Sequence, residues 1–478
     1  MREPSLLQEF EHNLSTAFQD IILLVFSSLG VAPWQKALQY ASNCIICSHR
    51  DTPIELLQEL LSNLTKANAT VHHRKFSFVI SGDKSLTPDI SQLISFIDVI
   101  DSDKKSVVMA DPLLINEANM LGRKVLVTTD SRVRHIENKV GVERLFESLC
   151  FPRMAIEISS NDCFEHFKDT CQKMLHKYEA CVVSGSGDGT VSDANGRNVC
   201  VVSESSELHV IYETFKQQEW IKVMEFVPGH IINCHFIVLE KGQTVILPIE
   251  ESVVLHLKGD ASFQRCGAYC QAVDISSSCK QKLNTYCTQL AHFLHNQYGF
   301  RGYINLDLIY TKSEELLPLE VNTRPGGSSP RRMELDSLLD VCIRHNLTEF
   351  TDDDLREKII PLYEGVHVPM CGLLPFTVRS TLDVHSGLYG VTVFLDSHYA
   401  LQRGPHIAEI EWSISPSLRS DSIFKVSIGA AKVDFSATDN FRTDASMPVD
   451  KVVCSAVRFV GDHFHAYCSQ YTSCVQGL

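Results

Sequence analysis

The chain has 478 residues, of which 44% are hydrophobic and 21% charged, which is typical of a globular protein with about three domains. Its net charge of −15 at pH 7 argues against nucleic acid or an anionic membrane surface as a general partner. No apolar run of about 20 residues is present and the acidic N-terminus does not resemble a signal peptide, so we expect a cytoplasmic protein that does not enter a membrane.

Seventeen cysteines are an unusually large number for this composition. Most have apolar neighbours in the sequence, as Cys181, Cys200 and Cys342 do, which predicts reduced thiols in the core of a cytosolic protein. Cys44 and Cys47 have the spacing of a metal-binding pair. However, no second pair follows at a zinc-finger distance, so a metal site there is disfavoured.

The first 136 residues alternate apolar strands with amphipathic helices. Strands are predicted at 20–26, 76–80, 107–109 and 124–127, and helices at 56–64 and 89–96. This alternation is typical of an α/β domain with a parallel sheet. No GxGxxG motif follows the first strand, so dinucleotide binding is not supported.

An amphipathic helix is predicted at 139–149, where Val142, Leu145, Phe146 and Leu149 recur at helical spacing. It opens on Asn138-Lys139. Taken alone, a lysine at the start of a helix is usually solvated.

A glycine-rich segment follows, with strands predicted at 180–183 and 198–202 and a turn at 184–189. Small, flexible residues allow backbone N–H groups to approach phosphates and close over them. The alternative is an ordinary surface hairpin.

A buried strand is predicted at 220–227, ended by Pro228-Gly229. Taken alone, this segment is equally consistent with an ordinary core strand that ends in a turn.

Two strands around residues 304–308 and 317–322 predict a hairpin through the polar segment TKSEE. On the second strand Leu317, Leu319 and Val321 alternate with polar residues, which predicts one apolar and one polar face. A turn centred between residues 313 and 314 places Asp307 opposite Glu320, and Asn305 opposite Asn322.

Opposed side chains on antiparallel strands have Cβ atoms about 4.5–5.5 Å apart. Two facing carboxylates are unfavourable unless one is protonated or a cation lies between them. Mg²⁺ prefers such oxygen ligands, so the hairpin predicts a magnesium site. A polar sheet face with solvated charges is the alternative.

Beyond residue 345 we predict an acidic helical connector at 347–364, followed by strands that include 390–395 and 423–428. We assign no role to this part.

Asp307 followed by Glu320-Val-Asn322-Thr-Arg324 resembles the metal- and phosphate-binding hairpin of the ATP-grasp ligases. The longer run EVNTRPGGSSP is similar to that of peptide ligases with a pre-ATP-grasp domain, the pheganomycin type, although Pro330 comes one residue sooner than in that pattern. The Asn-Lys helix start, the glycine-rich segment and the strand before Pro228-Gly229 precede the hairpin in the order that this family has.

The resemblance implies three domains. A pre-ATP-grasp α/β domain at 1–136 is followed by an ATP-grasp domain at 137–345, which is α+β in its core, and by a smaller C-terminal domain at 346–478. Within the second domain it implies a glycine-rich lid at about 180–202, an adenine hinge at about 220–229 and a metal hairpin at 303–324.

The resemblance also implies roles for individual residues. Asp307, Glu320 and Asn322 would hold metal, while Arg324 and Arg331 would be catalytic or dock the substrate. The residues implied to contact ATP are Lys139, Ser184, Gly185, Gly187, Gly189, Met224, Glu225, Phe226 and Val227, with backbone groups of Glu225 and Val227 facing adenine.

Two departures from the family pattern are visible. Val183-Ser184 stands where relatives carry a phosphate-binding lysine, for which Arg197 is one substitute, and Ile231 stands where many carry an acidic ribose contact.

The implied function is an ATP-dependent ligase that joins the carboxylate of an amino acid or peptide to an amine and releases ADP and phosphate. Its cofactors would be ATP and two Mg²⁺ ions, with Mn²⁺ as an alternative, and its partners small amino acid or peptide substrates; a homodimer is also compatible. Two alternatives stay open: a small-molecule kinase or phosphotransferase, and a nucleotide-binding scaffold without catalysis.

Overall fold

A computed structural model describes residues 12, 16, 20–26, 40–49, 70–76, 78–80, 86–88, 90–103, 106–110, 118–126, 130, 132–186, 199–256, 263–270, 275–325, 336–347, 353 and 357, and six C-terminal strands. Its strands are β1 Ile21–Phe26, β2 Asn43–His49, β3 Thr70–Phe76, β4 Phe78–Ile80, β5 Leu86–Pro88, β6 Val107–Ala110, β7 Val125–Leu126, β8 Ile156–Ser160, β9 Cys181–Ser186, β10 Val199–Val202, β11 Trp220–Glu225, β12 His230–Val238, β13 Thr244–Ile246, β14 Glu250–His256, β15 Phe263–Cys270, β16 Gly302–Tyr310, β17 Leu316–Asn322, β18 Phe376–Ser380, β19 Leu388–Leu395, β20 Leu401–Arg403, β21 Ala408–Ile414, β22 Ile423–Gly429 and β23 Ala466–Tyr467. Its α-helices are α1 Ile90–Ile100, α2 Gly141–Ser148, α3 Phe164–Leu175, α4 Leu208–Phe215, α5 Ser277–Tyr298 and α6 Ser337–His345.

The N-terminal sheet is parallel, with strand order β3-β2-β1-β6-β7. Helix α1 covers one face through Leu93 and Ile97, which pack with Ile22 and Val108. The predicted α/β pattern with a parallel sheet is therefore confirmed. The strand predicted at 76–80 is divided between β3 and β4, β2 was not predicted, and the helix predicted at 56–64 lies outside the described residues.

Strand β2 carries the CxxC pair at positions that face opposite sides of the sheet, because Cys44 and Cys47 are three residues apart. Both side chains are buried and neither forms a disulfide bond, and burial raises the pKa of Cys44 to about 12. One ion cannot bind both sulfurs in this arrangement.

A small antiparallel sheet follows, with strand order β10-β9-β11-β8. Helices α3 and α4 cover one face of it, where Phe167 and Phe215 pack on Val183, Ile221 and Val223. The other face turns toward the next sheet.

The larger antiparallel sheet has the order β15-β14-β12-β16-β17, with β13 paired to β12. Helix α5 covers its core face with Leu283, Cys287 and Leu290, and α2 adds Val142 and Phe146. Ser276 caps the start of α5 by accepting a hydrogen bond from Cys279 N, and Gly299 ends it with φ +62°. The predicted helix at 139–149 is confirmed, with Leu149 partly buried against this core.

The C-terminal strands form a six-stranded antiparallel sheet of order β20-β19-β21-β22-β18-β23. The strands predicted at 390–395 and 423–428 fall within β19 and β22. Of the predicted connector at 347–364, the structure describes residue 347 and the helical residues 353 and 357. Among the described helices, none is long and apolar enough to cross a membrane.

Candidate active site

The β16–β17 hairpin has the register predicted from the sequence at its polar end. Asp307 lies opposite Glu320, and Asn305 opposite Asn322. Asn305 Nδ2 donates to Asp307 Oδ1 at 2.8 Å, and Asn322 Nδ2 to Asp307 Oδ2 at 3.4 Å. Asn305, Asp307 and Asn322 are therefore linked by hydrogen bonds, and Glu320 lies on the same face of the hairpin.

The predicted strict alternation along β17 is wrong, because the strand contains a β-bulge. Leu308 pairs with Pro318 while Asp307 pairs with Glu320, so Leu319 is the extra residue. An extra residue reverses the faces of every residue beyond it. Leu317 consequently shares a face with Glu320, whereas Val321 points into the core.

Because of the bulge, the face of the large sheet that turns toward the small sheet has an apolar end and a polar end. Ile309 and Leu317 lie opposite each other at one end, followed by the pair Asp307 and Glu320. Both apolar side chains are buried, at 6% and 8% exposure.

At this apolar end, an apolar cluster joins the large antiparallel sheet to the small sheet of β8–β11. It consists of Met154, Val182, Met224, Ile309 and Leu317, with Val227 and Ile231 packed against it. Met224 belongs to this cluster and Val227 packs against it, whereas Phe226 is 43% exposed and is not part of it. The contacts of these three residues with adenine stay a prediction. The Glu225 N–H donates to the Ala155 carbonyl at 3.0 Å, so it is not available to adenine.

The hairpin residues fit a magnesium ion. The Oδ1 atom of Asn305 is buried and has no hydrogen-bond partner among the described residues, and it lies beside the opposed carboxylates of Asp307 and Glu320. Within the described part of the chain, no group of three or more His, Cys, Asp or Glu side chains is placed to hold a metal alone. Asn322, water and phosphate oxygens would have to complete the set, as Mg²⁺ usually requires.

The glycine-rich segment differs from the predicted turn. Ser184 and Gly185 belong to β9, which continues to Ser186. A Cβ atom on Gly185 would lie 2.6 Å from a ring carbon of Phe215, so close packing against α4 explains this glycine. Gly187, Gly189 and Arg197 lie outside the described residues, as does Arg331.

The segment before α2 ties the small sheet to the hairpin. Asn138 Oδ1 accepts hydrogen bonds from the N–H groups of Val140 and Gly141, while its amide nitrogen donates to Ser186 Oγ. Lys139 beside it is buried at 7% exposure, rather than solvated.

Glu137 was not singled out in the sequence, yet it contacts the end of β17. Its Oε1 atom accepts hydrogen bonds from Thr323 N at 2.8 Å and Thr323 Oγ1 at 2.6 Å. Its Oε2 atom lies 3.6 Å from Arg324 Nε. Arg324 is therefore oriented by a buried carboxylate at the end of the polar face.

Helix α6 fixes the same open end of the hairpin. Asp340 accepts a hydrogen bond from Tyr303 N at 2.7 Å, and Arg344 Nη2 donates to Asp340 Oδ1 at 2.9 Å and to the Thr323 carbonyl at 3.1 Å. Burial raises the pKa of Asp340, and the neighbouring Arg344 opposes this shift.

The polar face extends onto β12. Asn233 lies opposite Asp307 and His235 opposite Asn305. Asn233 donates to Ser252 Oγ at 2.6 Å, and His235 Nε2 lies 3.3 Å from Glu250 Oε2. These residues were missed in the sequence because a polar position within one strand does not show which strand is its neighbour.

Another residue missed in the sequence is Lys222 of β11. It is 3% exposed, and its Nζ atom donates to Glu143 Oε1 of α2 at 2.9 Å. The available signal was a lysine inside the otherwise apolar strand IKVM, two residues before Met224.

A cavity of about 620 Å³ opens beside α2. Its lining includes Asn138, Ile158, Trp220 and Tyr298 and none of the hairpin residues Asp307, Glu320 and Asn322. It is therefore separate from the candidate metal site.

The comparisons with known proteins bear on the fold. No protein-family model and no curated protein sequence matches this chain. The solved structures that match include the biotin carboxylase domain of the Hydrogenobacter thermophilus 2-oxoglutarate carboxylase in complex with MgADP, ADP and bicarbonate. It has 10% identity and a TM-score of 0.54, with 89% of each chain covered.

Two further structures cover nearly the whole of both chains. A Campylobacter jejuni biotin carboxylase in complex with a β,γ-ATP compound has 11% identity and a TM-score of 0.52, covering 96% of this chain and 99% of its own. An L-amino acid ligase from Bacillus licheniformis has 11% identity and a TM-score of 0.51, covering 91% and 98%. At this identity the likeness establishes the fold alone: the chain has a parallel N-terminal sheet and antiparallel sheets that match three-domain ATP-grasp structures, as the sequence predicted.

Proposed function

We propose that this protein is an ATP-dependent ligase that joins the carboxylate of an amino acid or peptide to an amine. The observation that carries the proposal is the placement of Asp307 opposite Glu320 on the same sheet face as Ile309 and Leu317, which pack in the apolar cluster with Met224 of the small sheet. An apolar slot suits a planar base, and an adjacent carboxylate pair suits the metal ion that accompanies its phosphates.

In the proposed reaction a carboxylate oxygen of the first substrate attacks the γ-phosphorus of ATP, and the bond to the β–γ bridging oxygen breaks. This yields an acyl phosphate and ADP. The nitrogen of an amine then attacks the acyl carbon, phosphate leaves with the electron pair of the C–O bond, and the nitrogen loses a proton to solvent. Positioning and stabilisation of the developing charge would supply most of the rate.

Each residue has a defined part in this proposal. Asp307, Glu320 and Asn322 would hold Mg²⁺, which when bound neutralises phosphate charge. Lys139 and Arg324 would contact phosphate oxygens, Arg324 in the orientation that Glu137 imposes on it.

Amino acid or peptide substrates are favoured by the resemblance of the run EVNTRPGGSSP to peptide ligases, and by a fold that an L-amino acid ligase shares. Arg331, just beyond this run, is the residue we propose to dock the substrate carboxylate.

The test is ATP turnover to ADP and phosphate with Mg²⁺, screened against pooled amino acids and short peptides, with mass spectrometry of the products. We expect an amide product from the wild type, and its loss in Glu320→Gln and in Asn322→Ala. The matched control is Glu315→Gln, since Glu315 lies on the exposed turn of the same hairpin and should leave turnover unchanged.

A phosphorylated small molecule without an amide would replace the ligase by a kinase. ATP binding without turnover in any pool would favour a nucleotide-binding scaffold without catalysis. An amide product that persists in Glu320→Gln would contradict the proposal that Glu320 holds Mg²⁺.

A further inference from the structure

Lys222 and Glu143 form an ion pair that is buried on both sides. The side chains are 4% and 5% exposed, and Nζ lies 2.9 Å from Oε1. The second carboxylate oxygen of Glu143 is also buried and has no hydrogen-bond partner among the described residues. A buried pair with an unsatisfied oxygen contributes little to stability, because desolvation offsets the attraction between the charges. Stability alone therefore does not explain why the pair is present.

The position of Lys222 in the small sheet is informative. It lies opposite Ser184 of β9 in the antiparallel register, so both residues point to the same side of the sheet. Val182 and Met224, which form part of the apolar cluster, point to this side as well. Lys222 is two residues, roughly 7 Å, from Met224 along the strand.

The surroundings of Lys222 become polar in the same direction. Ser184 and Ser186 are buried, and Asn138 donates a hydrogen bond to Ser186. A molecule whose base contacts Met224 would therefore extend past Lys222 toward hydroxyl groups, an amide and the buried Lys139. This change from apolar to cationic and polar surroundings suits a base joined to an anionic chain.

We propose that Lys222 contacts the phosphates of the bound nucleotide, and that Glu143 holds its ammonium group in position within the cleft. This inference rests on the proposed function, because it assumes that the cleft binds ATP. It also accounts for Ser184, which stands where the resemblance implies a phosphate-binding lysine. Lys222 lies directly opposite on the neighbouring strand and would supply the positive charge instead.

The experiment compares nucleotide affinities of the full-length chain. Removing Lys222 alone would leave Glu143 buried and unpaired, so the test variant is the double substitution Lys222→Met with Glu143→Gln. The matched control, Lys216→Met with Glu213→Gln, removes an exposed ion pair at the end of α4, which packs on the same small sheet. Isothermal titration with Mg-ATP and saturation-transfer NMR with adenosine provide the affinities.

We expect the double variant to bind Mg-ATP about 10- to 100-fold more weakly, the usual contribution of a hydrogen bond to a charged group. Adenosine affinity should stay within about twofold, since adenosine has no phosphate. A purely structural pair would instead change both affinities alike or neither.

A third substitution tests position directly. Adding Ser184→Lys to the double variant returns an ammonium group to the same face, one strand away. Recovery of most of the lost ATP affinity supports the proposal. Unchanged ATP affinity in the double variant overturns it. Absence of ATP binding by the wild type, in contrast, would contradict the proposed function itself.

Discussion

Glu137 connects the segment before α2 to the end of β17 in the β16–β17 hairpin, so neutralising its charge should loosen that strand. Its side chain is 3% exposed and accepts two hydrogen bonds from Thr323, at 2.8 and 2.6 Å. Hydrogen bonds to a charged group contribute about 1.5–3 kcal/mol, and neutral ones about 0.5–1.5 kcal/mol. Glu137→Gln keeps the shape and an acceptor oxygen. We therefore expect a loss of about 1 kcal/mol for each bond, or about 2 kcal/mol in all.

This loss is measured locally by hydrogen exchange of the backbone amides at 316–324. Because each 1.4 kcal/mol is a factor of ten, exchange there should become about 30-fold faster if local opening limits it. The control is Glu147→Gln on α2, whose side chain is 70% exposed and should leave these rates unchanged. Equal rates in the two variants would refute the idea that the buried carboxylate holds the end of β17.

Three further outcomes are expected. Gly185→Ala places a methyl group against the ring of Phe215 and should destabilise the fold by about 1–3 kcal/mol in urea unfolding, with partial recovery on adding Phe215→Leu; no loss would contradict the packing explanation. Burial raises the pKa of Asp340 above its unfolded value of 3.8, so the folded protein favours the protonated carboxyl group. The stability of the wild type relative to Asp340→Asn should therefore fall as pH rises from 3.8 through the folded pKa, and a rise would contradict the direction of the shift. Cys150 is exposed, whereas burial raises the pKa of Cys181 to about 12, so iodoacetamide should modify the first thiol well before the second, as peptide mass spectrometry would show.

Local sequence patterns were sufficient where one strand or helix carries its own signal. The period-two pattern around Asp307 and the polar turn placed Glu320 opposite it, and the 3.6-residue period from Val142 predicted α2. These patterns persist because each reflects burial of one face of a single element. The same logic could not detect the bulge at Leu319, which depends on how β16 pairs with its neighbour.

The sequence by itself therefore determined the α/β fold class, the hairpin and the placement of Asp307 opposite Glu320. Tertiary structure alone decided which separate segments meet: Glu137 with Thr323, and Lys222 with both Ser184 and Glu143. Such contacts join residues 38 to 186 positions apart. Periodicity reports whether a side chain is buried and on which face of its own element, but not which distant segment covers it.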